Sequence, residues 1–140
     1  MREEDFQLAS VEDREKYIVR PYDDVPSTTL VEGSTSHLVK SGRAIISFLT
    51  MEAGSVFELH SHPEEQIMIV IEGYCDEVID GKIYRVGPGD VIYLPPNVEH
   101  GAFLRDVDCK VIDVFIPSRA DYEEKFRVQH PDARLRFETN

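Results

Sequence analysis

The chain has 140 residues, with 15 Lys plus Arg against 27 Asp plus Glu and a formal charge of −12 at pH 7. That length fits one domain around one core, and the acidic balance argues against nucleic acid or anionic membranes as partners. No run approaches the ~20 apolar residues needed to cross a bilayer, and the acidic start MREEDFQLAS has no apolar h-region, so a cytoplasmic protein without a signal peptide is expected.

Residues 1–27 read as an N-terminal arm with extended pieces, because Pro21 and Pro26 stand against a helix through its end. From Thr28 to Pro117 the pattern is all-β: short β-rich runs alternate with turn signals, the mark of a sandwich or barrel. The expected strands are 44–51, 55–60, 66–73, 75–80, 82–86, 90–95, 99–104 and 110–116. Asp80-Gly81 between two of them is a hairpin signal. A short helix follows Pro117 over about 119–127, closing a domain of 28–128, and the polar tail 129–140 is expected to be loosely held. Cys75 and Cys109 sit in apolar runs without CxxC spacing and are read as buried thiols.

Two segments carry the chemistry. In GSVFELHSHPEEQIMIVIEG, residues 54–73, His60 and His62 are two apart, and on an extended strand side chains at i and i+2 face the same way. Pro63 turns the chain, and Gln66 opens a strand whose same-parity neighbours Met68 and Val70 are apolar, as for a face lining a barrel interior. In VGPGDVIYLPPNVEHGAF, residues 86–103, a Gly-Pro-Gly turn leads to a strand ended by Pro95 and Pro96, and His100 follows. Three imidazoles and one amide oxygen could then meet at one divalent ion. His37 and His130 belong to no such spacing and are read as solvated.

A carboxylate stands out in KVIDVFIP, where Asp113 shares a face with Val111 and Phe115 in a strand that looks apolar on both sides. Burial raises a carboxyl pKa, and such a group beside a metal is a candidate general acid or base. The alternative is an Asp tied to a backbone amide or an Arg for structure. Glu58, two residues before His60, competes for the same role. Arg119 could hold a substrate carboxylate in a bidentate pair or simply be a surface residue at a helix start. Tyr93 and Arg43 could also line a cavity.

Gly54-x5-His60-x-His62-x3-Gln66-x6-Gly73 resembles the first cupin motif, and Gly87-x-Gly89-Asp90-x4-Pro95-x4-His100 is similar to the second. The resemblance implies a cupin double-stranded β-helix, or jelly-roll barrel, that binds one divalent metal ion through His60, His62, Gln66 and His100. Gln66 stands where the common pattern has Glu. Three neutral imidazoles and a neutral amide leave the ion's full charge in place, which favours Lewis-acid over redox chemistry. Zinc, nickel, iron and manganese all remain open.

A narrower resemblance follows from the run Val111 to Tyr122 behind the His-x-His-Pro-x-Glu-Gln site, which looks like the small pectin-degradation cupins. Those enzymes convert 4,5-unsaturated monouronates into linear keto-sugars with a His/His/Gln/His metal site. By that resemblance Asp113 moves protons, Arg119 binds the uronate carboxylate and Phe115 shapes the pocket wall. The N-terminal arm is longer than in the smallest members, and a homodimer is expected. Other classes stay open: an Fe- or Ni-dependent dioxygenase, a metal-dependent cyclase or lyase of secondary metabolism, or a non-catalytic small-molecule-binding barrel.

Overall fold

The computed structural model describes residues 1–138. The elements in chain order are α1 (Val11–Tyr17), α2 (Pro21–Asp24), β1 (Ser27–Thr29), β2 (Ser34–Lys40), β3 (Ile45–Met51), β4 (Val56–His60), β5 (Glu65–Glu72) and β6 (Cys75–Ile79). They continue with β7 (Lys82–Val86), β8 (Val91–Leu94), β9 (His100–Phe103), β10 (Cys109–Ile116) and α3 (Ala120–Gln129), while a single 3-10 turn precedes α1 at Glu3–Asp5.

The strands form two antiparallel sheets, a six-stranded one in the order β1-β2-β3-β10-β5-β8 and a four-stranded one in the order β4-β9-β6-β7. This is the jelly-roll barrel expected from the motifs. Period-two alternation decides which side chains enter it. β3 turns Ile45, Ser47, Leu49 and Met51 inward, β10 turns Cys109, Val111, Asp113 and Phe115, and β5 turns Gln66, Met68 and Val70. The opposite face of β10 is less apolar in its surroundings than its residues suggest: Ile112 and Val114 are half-buried and Ile116 is exposed, so the strand is not covered on both sides. Cys75 and Cys109 are buried free thiols. The Asp80-Gly81 hairpin forms, with φ of 47° and 80° at its two turn residues, the left-handed pair that a two-residue loop favours.

Both ends of the chain are more ordered than the sequence reading held. α1 forms because Ser10 and Asp13 make a reciprocal capping box, and Pro21 sits at the start of α2, where its missing N–H costs nothing. β1 and β2, not among the expected strands, extend the larger sheet; the inward residues of β2 include Ser34, Ser36 and Leu38, and two serines hid the alternation. The tail is tied down through residue 138: Leu135 is buried, the Lys40 amide donates to the Arg136 carbonyl at 3.0 Å, and the Arg136 guanidinium donates to the carbonyls of Glu15 and Ile18 at 2.7 and 3.0 Å. The rest of the expected loose tail, residues 139 and 140, lies outside the described residues. His37 and His130 are not simply solvated, since each ring contacts a backbone carbonyl, Val25 O at 2.7 Å and Ser27 O at 2.9 Å.

Candidate metal centre and cavity

His60 ends β4 and His100 begins β9, and the two are direct cross-strand partners. His62 follows two residues beyond the strand. The three rings converge, with centroids 4.3 Å apart for His60 and His100, 5.0 Å for His62 and His100, and 6.0 Å for His60 and His62. One ligand nitrogen from each lies within 4.8 Å of the others.

Every ring is oriented the same way. Nδ1 of His60, His62 and His100 each lies 2.9 Å from a backbone carbonyl, those of Glu58, Glu64 and Val98. A carbonyl only accepts, so Nδ1 carries the proton in each ring and Nε2 keeps its lone pair. Burial pushes the pKa of His100 down to about 4. It also lowers that of His62, helped by the nearby Arg119 charge. Both rings are therefore held neutral, the form that ligates metal.

Gln66, on β5, completes the set. Its Nε2 donates to Asp113 Oδ1 at 3.0 Å, which leaves Oε1 pointing at His62 Nε2, also at 3.0 Å. With His62 protonated on Nδ1, two acceptors face each other at hydrogen-bond distance. Such a pair is repulsive unless a cation lies between the two, and a neutral N, N, N, O donor set is what zinc, iron or nickel accept. The residues present thus fit a divalent ion.

A cavity of 380 Å³ opens from these ligands into the barrel. Asp113, Glu77, Arg119 and Tyr122 line it with His60, Gln66 and His100, and Leu49, Met51 and Met68 give it an apolar side. Asp113 is buried, and loss of hydration raises its carboxyl to about 7 despite the Gln66 amide and the Arg119 charge, which act the other way. Its side-chain partner is the Gln66 amide rather than a backbone amide.

Arg119 is buried at the cavity edge, its guanidinium 3.8 Å from the Tyr122 ring centroid and 5.0 Å from that of Phe115. Nε and Nη2 are engaged by Asp121 at 3.1 and 2.7 Å. Phe115 stands edge-on to His62 at 5.6 Å and to Tyr122 at 5.2 Å, behind the ligand rather than on the cavity lining. Glu58 borders the cavity but is exposed, on a stretch of β4 where the register with β9 shifts. Tyr93 and Arg43 are exposed and lie away from the cavity.

The sequence reading missed Glu77. Burial drives its carboxyl up to about 8, and the neighbouring Asp113 charge adds to the effect. Its signal was its parity with Cys75 in β6, which places both on the inner face. Asp76 obscured the alternation by being buried too, under the guanidinium groups of Arg85 and Arg105.

The cupin domain family matches residues 47–115, a segment that holds all four candidate ligands. No curated protein matches the chain. Among solved structures, an RmlC-like cupin from Shewanella frigidimarina NCIMB 400 superposes with a TM-score of 0.69 at 23% identity, over 76% of this chain and 95% of that one. KdgF from Halomonas sp. gives 0.64 at 27% identity, over 69% and 90%. The polyketide cyclase RemF from Streptomyces resistomycificus gives 0.63 at 21% identity, over 71% and 78%. The family match, the shared barrel and the histidine triad at its mouth together place this chain in the cupin superfamily.

Proposed function

We propose that this cupin is a metal-dependent enzyme that isomerises or ring-opens a small oxygen-rich anion, and that the substrate is a 4,5-unsaturated monouronate. The observation that carries the proposal is the chain His62–Gln66–Asp113: a buried carboxyl of raised pKa hydrogen-bonded to a metal-ligand side chain in one cavity. The similarity to KdgF and the resemblance of the segment from Val111 to Tyr122 to pectin-degradation cupins support the substrate class.

A bound divalent ion, zinc, nickel, iron or manganese, supplies Lewis acidity toward the sugar oxygens. His60, His62, Gln66 and His100 hold it, and the backbone carbonyls on their Nδ1 protons fix the rings. Asp113, poised near neutrality, takes the proton of the hemiacetal hydroxyl as the ring opens. Arg119 brings positive charge to the cavity edge for the uronate carboxylate; using its forked face there requires sharing it with Asp121. The apolar side formed by Leu49, Met51 and Met68 excludes water and strengthens these interactions.

The same apolar side favours a second reading, a cyclase or lyase acting on a larger and less polar substrate. A homodimer goes with either, since Val91 and Tyr93 are exposed on the edge strand β8, and equilibrium sedimentation tests it.

The deciding experiment follows loss of the enol-ether absorbance of a 4,5-unsaturated monouronate in wild type, Asp113→Asn and chelated protein. Acceleration that disappears in both controls supports the uronate reading. No acceleration by metal-loaded wild type overturns it and turns attention to the apolar substrate class.

A further inference from the structure

The reaction proposed above moves a proton off an oxygen and puts one onto a carbon several bonds away. One carboxyl cannot reach both atoms at once. The barrel contains a second carboxyl that no hydrogen bond or ion pair explains. Glu77 is only 4% exposed, lines the cavity, and its carboxyl has no side-chain or backbone partner among the described residues. Every other buried acidic side chain is engaged: Asp76 by Arg85 and Arg105, Asp113 by Gln66.

The register fixes where Glu77 stands. On β6, Ile79 pairs with His100 of β9 and Glu77 pairs with Ala102. Glu77 is therefore on the same face as His100 and two residues further into the barrel, about 7 Å along the strand. Asp113 stands on β10 of the facing sheet, between Ser47 of β3 and Met68 of β5. Inner faces of packed sheets lie about 10 Å apart, so the two carboxyls flank the cavity from opposite walls.

We infer that Glu77 is a second acid–base group of this site, the proton donor that works across the cavity from Asp113. The inference rests on the ring-opening reading for its substrate. The environments divide the roles. Asp113 accepts a hydrogen bond from Gln66 and feels Arg119, both of which favour its carboxylate. Glu77 has neither; the titratable groups acting on it, Asp113 and Cys109 of β10, both favour its neutral form, and β9 offers it only Ala102 and Gly101. Burial raises both carboxyls, and the hydrogen-bond donor that Asp113 has and Glu77 lacks makes Asp113 the base and Glu77 the acid. The step balances. Asp113 takes the hemiacetal proton, the bond from the anomeric carbon to the ring oxygen breaks, and the electron pair stays on that oxygen as an enolate. The enolate carbon then takes the Glu77 proton, giving the ketone. Asp113 gives its proton to solvent and Glu77 takes one from solvent, which restores the site.

The test uses metal-loaded protein and compares wild type, Glu77→Gln and Glu77→Asp. Infrared difference spectra at pH 7 look for a protonated carboxyl band that Glu77→Gln removes and that galacturonate, an unreactive uronate, shifts. Turnover of the unsaturated uronate in D₂O reads both rate and facial selectivity of deuterium at the new C–H bond. The expected result is the band, a kcat loss of ~10²-fold or more in Glu77→Gln with KM and metal content kept, loss of facial selectivity, and partial recovery in Glu77→Asp. An absent band, or unchanged kcat and selectivity in Glu77→Gln, overturns the inference. If wild type shows the galacturonate-sensitive band but no turnover, the uronate reading fails while the assignment of Glu77 as the cavity's proton donor is supported.

Discussion

Gln66 reaches Asp113 diagonally across two strands: β5 pairs Gln66 with Phe115 of β10, two residues from Asp113 on the same face, and the amide Nε2 donates to Asp113 Oδ1 at 3.0 Å. The bond orients the amide so that its oxygen faces His62 in the histidine cluster, and it favours the Asp113 carboxylate. Replacing Gln66 by Glu, the residue in the common cupin pattern, removes the donor and sets two carboxylates together. We expect Gln66→Glu to keep its metal, to lose at least tenfold in kcat, and to move the acid limb of its pH–rate profile upward, since a like charge raises the Asp113 pKa. Steady-state rates across pH with metal analysis check this.

Asp113 weakens the metal-free fold. Its folded pKa, about 7, lies above the ordinary value of 3.8. Between those values the folded protein binds a proton that the unfolded chain does not. Its contribution is therefore full below about 3.8 and is lost as pH rises through 7. Asp113→Asn removes that dependence while keeping an oxygen to accept from Gln66. In chelated protein the variant should gain on wild type from pH 4 to pH 8, by about 2–4 kcal/mol at the upper end. Urea denaturation at both ends of that range measures the difference.

Asp76 behaves oppositely. Hydrogen bonds from Arg85 and Arg105 hold its carboxyl down at about 2. Its stabilisation is present above 3.8 and fades as pH falls through 2. The carboxylate is buried, but both arginines are largely exposed and solvent screens them. Asp76→Asn should cost on the order of 1 kcal/mol at pH 7, less at high salt and nothing once the pH is well below the folded pKa, again by denaturant titration.

The fold and the clustering of the three histidines were legible because each rests on local spacing. His60, His62, Gln66 and His100 are placed by strand parity and turn residues, and Asp113 stood out as a charge in an apolar run. What was not legible depends on distant contacts. β2 is capped inward by serines, Ser36 and Ser47 satisfying each other at 2.6 Å, so no apolar alternation marked it. Glu77 looked like any acidic residue beside Asp76, because only the arrival of Arg85 and Arg105 separates the acid they neutralise from the unpartnered one in the cavity. The tail docks through Arg136 onto backbone carbonyls about 120 residues away, which no local pattern encodes.

Metal should stabilise the protein through the triad. A ligand that binds only the folded state adds about 2.7 kcal/mol at one hundred times its dissociation constant. Thermal unfolding of wild type should rise with added zinc or nickel and fall with chelator. His100→Ala should respond more weakly to either, because it removes one of three imidazoles and leaves only His60 beside the His62–Gln66 acceptor pair.

The position of His100 also depends on its neighbour. A Cβ built on Gly101 would lie 2.5 Å from the Phe57 carbonyl oxygen and 3.3 Å from the Glu58 backbone. Only a glycine lets β9 approach β4 this closely, and the same two strands carry the His60–His100 pair. Gly101→Ala must push the strands apart. The expected cost is about 1–3 kcal/mol of stability, as for other overpacked sites. Because the shift separates two ligand-bearing strands, metal affinity should fall as well, beyond what a purely local strain would cause. Isothermal titration with zinc, run alongside denaturation of the metal-free variant, separates the two effects: a stability loss with unchanged affinity would show that β4 and β9 can part without moving the histidines.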